Sequence, residues 1–579
     1  MAADRPRRAR RWDGDSQLMS CDGAADMIRR ILFVLLALTA LAAPARAKDE
    51  LVLGMTQSPG TWNPLISSML AKSLVSNMTS RPLTAWNADW KLVCLACTEV
   101  PTIENGKARV IDLPDDGKGG GKKGMEIDFE LRDLKWGDGT PVTAKDVAFT
   151  VEVGRHPLSG VASSEAFRRI IKFDAKDDRR FTMTIDRVTF DYNSIGLQLL
   201  PAHIEKPIFE ANPAEYRNKT AFDTNSTNPG LFFGPFRIVE VVPGNRIVLE
   251  QNPTWTGEKP HFKRIVVKII ENTAALEANL LSGNVDYVLG ELGLSLDQVL
   301  AFEKRHKDKY TFIYKPALIY EHIDTMLDNK LLEDLRVRQA ILMAIDRKAI
   351  SEKLFEGKQP VADGPISQLD PMFTPDTRHY PYDAAQARKL LDEAGFKDIR
   401  SGVRHNAKGE RLSIEIATSA GNRVRELVAQ VIQSQLRQVG VDVRIKAEPM
   451  RVFSEALNRR QFTGLAMYAW VQSPQGVPRS TLHSKEIPSA ENAWSGQNYP
   501  GYRNPAMDAA LDAAERELDP AKRRALFADI QRLHAEDLPV LPLFFRVDPF
   551  VIPKQLKGVT PTGHLNSSTL WIEQWRWEN

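Results

Sequence analysis

Strand-like runs and helical stripes alternate along this chain from Leu51 to a last helix near Glu536, with hairpins among them and no internal repeat. Strands alternate apolar and polar residues with a period of 2. Helices repeat apolar positions every 3.6 residues, and the two patterns cannot be exchanged. A chain that interleaves them must lay helices against sheets, and the hairpins make those sheets mixed. The expected class is therefore α/β with mixed sheets. More than 500 residues follow Ala47, too many for one hydrophobic core, so two or three domains are expected.

Individual elements can be placed. Residues 51–55 open as a strand, and residues 125–131 alternate as a half-buried one. Thr143 with Asp146 three residues on makes a capping box: the hydroxyl takes an orphan backbone N–H while the carboxylate reaches back. A helix to about Val153 follows. Residues 237–242 and 246–250 flank Pro243-Gly244-Asn245 as a hairpin. Residues 264–270 and 441–445 read as strands. Helices are expected over 273–282 (stopped by Gly283), 334–350, 424–439 (stopped by Gly440), 506–518 and 521–536. Residues 104–124, rich in Gly, Lys and Asp, read as an exposed loop or a hairpin excursion.

Residues 27–47 read as an export signal. Met27-Ile28-Arg29-Arg30 is a short basic start, residues 31–43 are uninterruptedly apolar, and Ala45-Arg46-Ala47 offers small residues to a signal peptidase. The run is shorter than the ~20 residues that span a bilayer, and no cysteine follows it to carry a lipid. Residues 1–26, basic and patternless before a second Met, read as a non-native extension. The product is expected in the periplasm. The segment through Ala47 carries eight Arg and five Asp; the whole chain has 77 basic and 74 acidic residues, so the remainder is formally neutral. Neutrality argues against nucleic acid and against electrostatic membrane binding.

Beyond Ala47 only Cys94 and Cys97 occur. Their spacing admits a local disulfide, two free thiols or a redox pair, although an extended apolar run ending in Pro101 is a poor setting for the last. The usual enzyme motifs are missing: no G-x-S-x-G, no H-E-x-x-H, no phosphate loop. Gly119-Gly120-Gly121 and the pairs Asp115-Asp116 and Asp177-Asp178 read as solvated turns. His322 and His483 read as hydrogen-bonded wall residues before metal ligands. Trp62, Trp86, Trp90, Trp470, Trp494, Tyr499 and Tyr502 lie in Pro-, Asn-, Gly- and Ser-rich surroundings rather than apolar stripes. Such aromatics suit a site that sandwiches a polar organic ligand, or they plug gaps between domains.

Several segments resemble the extracytoplasmic solute-binding proteins of the peptide/nickel group, family 5. They are WGDGTPVTAKDVAFT, FGPFRIVEVVPGNRIVLEQNPTW, LRVRQAILMAIDRKAI and YPYDAAQARKLLDEAGF, in the family's order between about residues 51 and 560. The resemblance implies a two-lobed periplasmic-binding-protein fold with an additional smaller domain. Lobe one would comprise 48–85, 225–315 and 545–579, the smaller domain 86–224 and lobe two 316–544. It also implies a peptide or peptide-like polar solute held between the lobes, with delivery to an ABC permease. No catalysis, cofactor or metal is implied, and a monomer is expected.

Peptide-binding members carry an Asp in a W-x-x-D stretch that pairs with the peptide's α-amino group. Here Ser473 stands at that place after Trp470. A buried charge-assisted hydrogen bond contributes about 1.5–3 kcal/mol. Either Glu321 or Asp324 serves instead, or the ligand is a sugar-like or modified-peptide compound. By motif and chemistry the ligand-facing residues are expected to be Trp62, Asn63, Tyr320, His322, Trp470, Gln472, Ser473, Asn498 and Tyr499. The competing readings are a secreted hydrolase of cell-wall fragments, which would need two carboxylates across a cleft, and a periplasmic chaperone or sensor partner of the same fold.

Overall fold

The computed structural model describes residues 48–114 and 122–578. The export signal at 27–47, the extension at 1–26, Asp115-Asp116 and the triple-glycine run lie outside the described residues. No helix among the described residues is long and apolar enough to cross a membrane.

Among the described residues, three sheets of four or five strands organise the fold. The first has the spatial order Tyr287–Val288, Glu50–Met55, Arg264–Ile269, Arg246–Gln251, Phe236–Val242. Glu50–Met55 is parallel to both its neighbours, and the other pairs are antiparallel. The second runs Asp442–Glu448, Ser413–Ser419, Leu465–Val471, Tyr310–Thr325, Val540–Pro553, with two parallel and two antiparallel pairings. The third, Ala108–Asp112, Lys123–Glu130, Arg180–Ile185, Ile170–Ala175, is wholly antiparallel. Each buries its own apolar face: Leu51, Leu53 and Val267 in the first, Ile416, Met467 and Leu541 in the second, Ile127, Phe181 and Met183 in the third. The result is two mixed-sheet lobes and a smaller domain.

Two long strands join the lobes. Tyr310–Thr325 and Val540–Pro553 pair antiparallel, with Phe550 and Ile552 packed in the first core and Ile323 and Leu541 in the second. Their register breaks between Pro316 and Tyr320. Pro316 has no N–H for the ladder, and the Leu318 amide turns aside to the Gly563 carbonyl at 2.6 Å.

The capping box of Thr143 and Asp146 is present, heading helix Ala144–Arg155. The predicted hairpin turns through Gly244, at φ +69°. The expected helix over 334–350 is two helices, Leu335–Ala344 and Arg347–Phe355. Asp346 accepts from the Ala349 amide at 2.8 Å, so its short carboxylate caps a new helix instead of continuing the old one. Within 104–124 the strand Ala108–Asp112 pairs with Lys123–Glu130, which makes the segment a hairpin excursion. Cys94 and Cys97 are disulfide-linked, with Cα atoms 5.1 Å apart.

Candidate functional site

A cavity of about 750 Å³ lies where the three bodies meet, within the range that holds small organic ligands. The first lobe contributes the turn around Pro64–Met69 and the start of helix Leu70–Thr79. The smaller domain contributes Glu165, Arg169 and the loop about Thr189–Gln198. The second lobe contributes Ile319–His322, Asp324 and Met467–Ser473.

Sheet register decides which side chains meet there. Tyr320 lies opposite Trp470 and His322 opposite Tyr468. Directly opposed residues on antiparallel strands share a face, so these four rings form one aromatic wall. Tyr320 and His322 stack at 4.8 Å. Tyr468 meets Trp470 edge-on at 5.4 Å, and Tyr499 leans on Trp470 at 5.9 Å. Tyr499 is fixed from behind, donating its hydroxyl proton to Asn458 Oδ1 at 2.8 Å. Gln472 Nε2 donates to the Pro365 carbonyl at 2.8 Å.

Charge at the cavity is mostly consumed by the protein itself. Glu321 is 2% exposed and lies between Arg425 Nε at 2.7 Å and Arg546 Nη2 at 2.6 Å. Burial would push its carboxyl up, but the two guanidiniums outweigh that and hold it at about 2. The trio carries net charge +1, so Glu321 cannot receive an ammonium as though it were free. Asp324 accepts from the Tyr468 hydroxyl at 2.5 Å. Lys72 is buried and donates to the carbonyls of Asn63, Pro64, Ile66 and Ser67 at 2.7–3.1 Å. It therefore pins the first-lobe turn from inside. Among the described residues no group of three His, Cys, Asp or Glu is placed to hold a metal ion.

A family model described as bacterial extracellular solute-binding proteins, family 5 middle, matches residues 121–488. The chain belongs to this family. The oligopeptide-binding protein AppA of Bacillus subtilis is 26% identical over 540 residues, 91% of each chain. The nickel-binding periplasmic protein of Escherichia coli is 24% identical over 546 residues, covering 92% of this chain and 96% of that one. The solved oligopeptide binding protein from Thermus thermophilus, complexed with a pentapeptide, matches with a TM-score of 0.83 at 31% identity, over 92% of this chain and 96% of that one. Family 5 members are binding proteins that work outside the cytoplasm.

Of the residues the sequence pointed to in this family 5 protein, Tyr320, His322, Trp470, Gln472, Ser473 and Tyr499 line the cavity. Three do not. The Trp62 ring packs on the first-lobe core, and its backbone amide donates to Asp223 Oδ1 at 2.8 Å. Asn63 is fully buried, accepting from the Leu65 amide and donating to the Tyr216 hydroxyl. Asn498, also fully buried, donates to the carbonyls of His483 and Tyr502 and accepts from the Tyr502 amide. These two carboxamides tie loops together, a use that their polar surroundings predict as readily as a ligand contact. His483 does not line the cavity and lies beside Asp508 and Asp512, at 3.5 and 3.7 Å. Gln359, Arg425, His534 and Arg546, and the smaller domain's Glu165, Arg169 and Asp191, also line the cavity, and the sequence alone does not mark them. Arg425 and His534 lie within helical stripes, where nothing local marks a cavity-facing side chain.

Proposed function

We propose that this chain is the solute-capturing component of an ABC importer, holding a peptide-like polar solute between its lobes and passing it to a permease in the inner membrane. The observation that carries this is the cavity itself, walled by both lobes and lined by aromatic rings beside hydrogen-bonding groups. Stacked rings and a few satisfied hydrogen bonds supply the roughly −8 kcal/mol of micromolar capture. Contacts from both lobes also give the ligand a means to favour the closed form over an open one. The relatives named above are described as binding oligopeptides or nickel, and the peptide side of that range suits a wall of four aromatics.

The bodies divide as lobe one (48–85, 225–315, 545–579), smaller domain (86–224) and lobe two (316–544). The register break at Pro316–Tyr320 falls at the proposed edge of lobe two and suits a hinge. The protein acts as a monomer in the periplasm, exported by residues 27–47, and catalyses no reaction. The ligand-facing set comprises Tyr320, His322, Trp470, Gln472, Ser473 and Tyr499.

The test is native mass spectrometry of protein taken from the periplasm, followed by calorimetric titration with alanine pentapeptides and X-ray scattering. A bound small solute, micromolar affinity and a smaller radius of gyration on binding are expected. No bound solute, no titration heat and unchanged scattering would remove the proposal.

A further inference from the structure

Buried polar groups are almost always hydrogen-bonded, and each exception asks for a reason. At the second-lobe end of the cavity several exceptions gather. Tyr320 Oη, His322 Nε2, Gln359 Oε1 and both ring nitrogens of His534 have no hydrogen-bond partner within the protein. Their residues are 2%, 1%, 5% and 0% exposed, and all four line the cavity. They come from three separate elements: the strand Tyr310–Thr325, the segment after helix Arg347–Phe355, and helix Pro520–Asp537. Ala362, three residues after Gln359, packs with Tyr320. A methyl group placed on Gly364 would lie 3.9 Å from His534 Nδ1. The segment 359–364 thus brings the other two elements together.

We propose that Tyr320, His322, Gln359 and His534 form a recognition pocket for an uncharged carboxamide on the cargo. This rests on the capture of a peptide-like solute proposed above. His322 Nδ1–H donates to the Tyr320 carbonyl at 2.9 Å, which leaves Nε2 as a bare acceptor. Gln359 Oε1 is a second acceptor. Tyr320 offers a hydroxyl donor, and a neutral His534 ring offers one donor and one acceptor. Burial lowers His534 to about 4, so the ring is neutral at pH 7. Asp324 Oδ1 lies 3.4 Å from His322 Nε2 with no hydrogen bond between them, and Tyr468 donates to the other oxygen, Oδ2.

A carboxamide presents two donors and an acceptor and can match such a mixed set. A carboxylate only accepts and would face the lone pairs of His322 and Gln359. An ammonium only donates and would leave donors unanswered. An alkyl group would leave every one of these atoms unpaired, and sites built on buried hydrogen bonds reject analogues that lack the group.

The experiment is calorimetric titration of the full chain with alanine pentapeptides in which Gln, Leu, Glu or Lys replaces one alanine, position by position. At one position Gln should bind at least tenfold more tightly than the other three. In His534→Phe and Gln359→Met that ratio should fall towards one. A second readout uses the wild-type protein labelled with 15N in histidine. The ring-nitrogen signals of His322 and His534 should shift when the Gln peptide is added and stay put with the Leu peptide. Peptide binding without a Gln preference, a preference that survives both substitutions, or unmoved histidine signals would overturn the pocket and leave the importer reading standing. Failure of every peptide to bind would overturn the peptide-like cargo and the pocket with it.

Discussion

Arg169 donates to Glu515 across 2.5 Å, joining the smaller domain to the second lobe through a carboxylate that is 1% exposed. Arg187 and Arg479 each approach Glu515 at 3.4 Å, and Arg479 reaches back to Glu165 at 3.4 Å. The seam beside the cavity is thus a buried ion network. Removing one partner of a buried network strands the others, at about 3–5 kcal/mol. Glu515→Ala should therefore lower stability by about 3 kcal/mol in urea titration. A double-mutant cycle with Arg169→Ala should give a coupling of about 1 kcal/mol or more. A coupling near zero would mean that the pair contributes nothing to the seam.

Glu321 predicts an acid limit. Its folded carboxyl sits at about 2, below the ordinary value of 4.5. A depressed carboxyl adds stability that is present above the unfolded value and is lost as pH falls through the folded one. Wild type should exceed Glu321→Gln by about 3 kcal/mol at pH 7, and the gap should close between about pH 4.5 and 2. Urea midpoints of both proteins across that range would show the closing. A constant gap would contradict the guanidinium clamp.

Glu205 predicts the opposite slope. It is fully buried, accepts from the Phe222 amide at 3.3 Å, and is pushed up to about 7, chiefly by burial. A raised carboxyl gives a contribution that is full below about pH 4.5 and is lost as pH rises through about 7. Glu205→Gln should match wild type near pH 4 and exceed it by about 3 kcal/mol at pH 8. Thermal midpoints at the two pH values separate the cases, and equal shifts at both would disprove the assignment.

Local chemistry is the legible part of this molecule. The Thr143–Asp146 box and the turn at Gly244 are decided by residues within a few positions of each other, and both stand where the sequence puts them. Asp346 misleads because an apolar stripe runs through it, while its carboxylate can also cap the next helix. The cavity is legible only where strand register and aromatic chemistry coincide, as at Tyr320 and Trp470. Asn63 and Asn498 mislead because a carboxamide that ties a loop and one that meets a ligand look alike in sequence. Arg169 and Glu515 lie 346 positions apart, and no periodicity links them. Such pairings exist only once the bodies pack.

Trp470 tests the aromatic wall. Its ring is half-buried, held by Tyr468 and Tyr499 without being enclosed by them. That leaves a face for the cargo. Truncating a central aromatic anchor at a binding site costs about 2 kcal/mol or more. Trp470→Ala should weaken binding of alanine pentapeptides by about thirtyfold, with an unchanged far-ultraviolet dichroism spectrum. Undiminished affinity would place the peptide elsewhere in the cavity.

Ser473 tests the charge of the cargo's end. It follows Trp470 on the cavity wall, and the nearest acids along the facing strand, Glu321 and Asp324, are engaged by Arg425, Arg546 and Tyr468. Glu321 is clamped by two guanidiniums and Tyr468 occupies one oxygen of Asp324, so a free α-amino group finds no carboxylate on this strand with both oxygens open, and wild type should bind penta-alanine and its N-acetyl form within about threefold of each other. Ser473→Asp adds an acid at that point. A charge-assisted hydrogen bond contributes about 1.5–3 kcal/mol, so the substitution should favour the free amine over the acetylated peptide by about tenfold or more. The ratio of the two affinities, measured in both proteins, is independent of any general loosening of the fold. An unchanged ratio would mean that the cargo's amino terminus does not reach position 473.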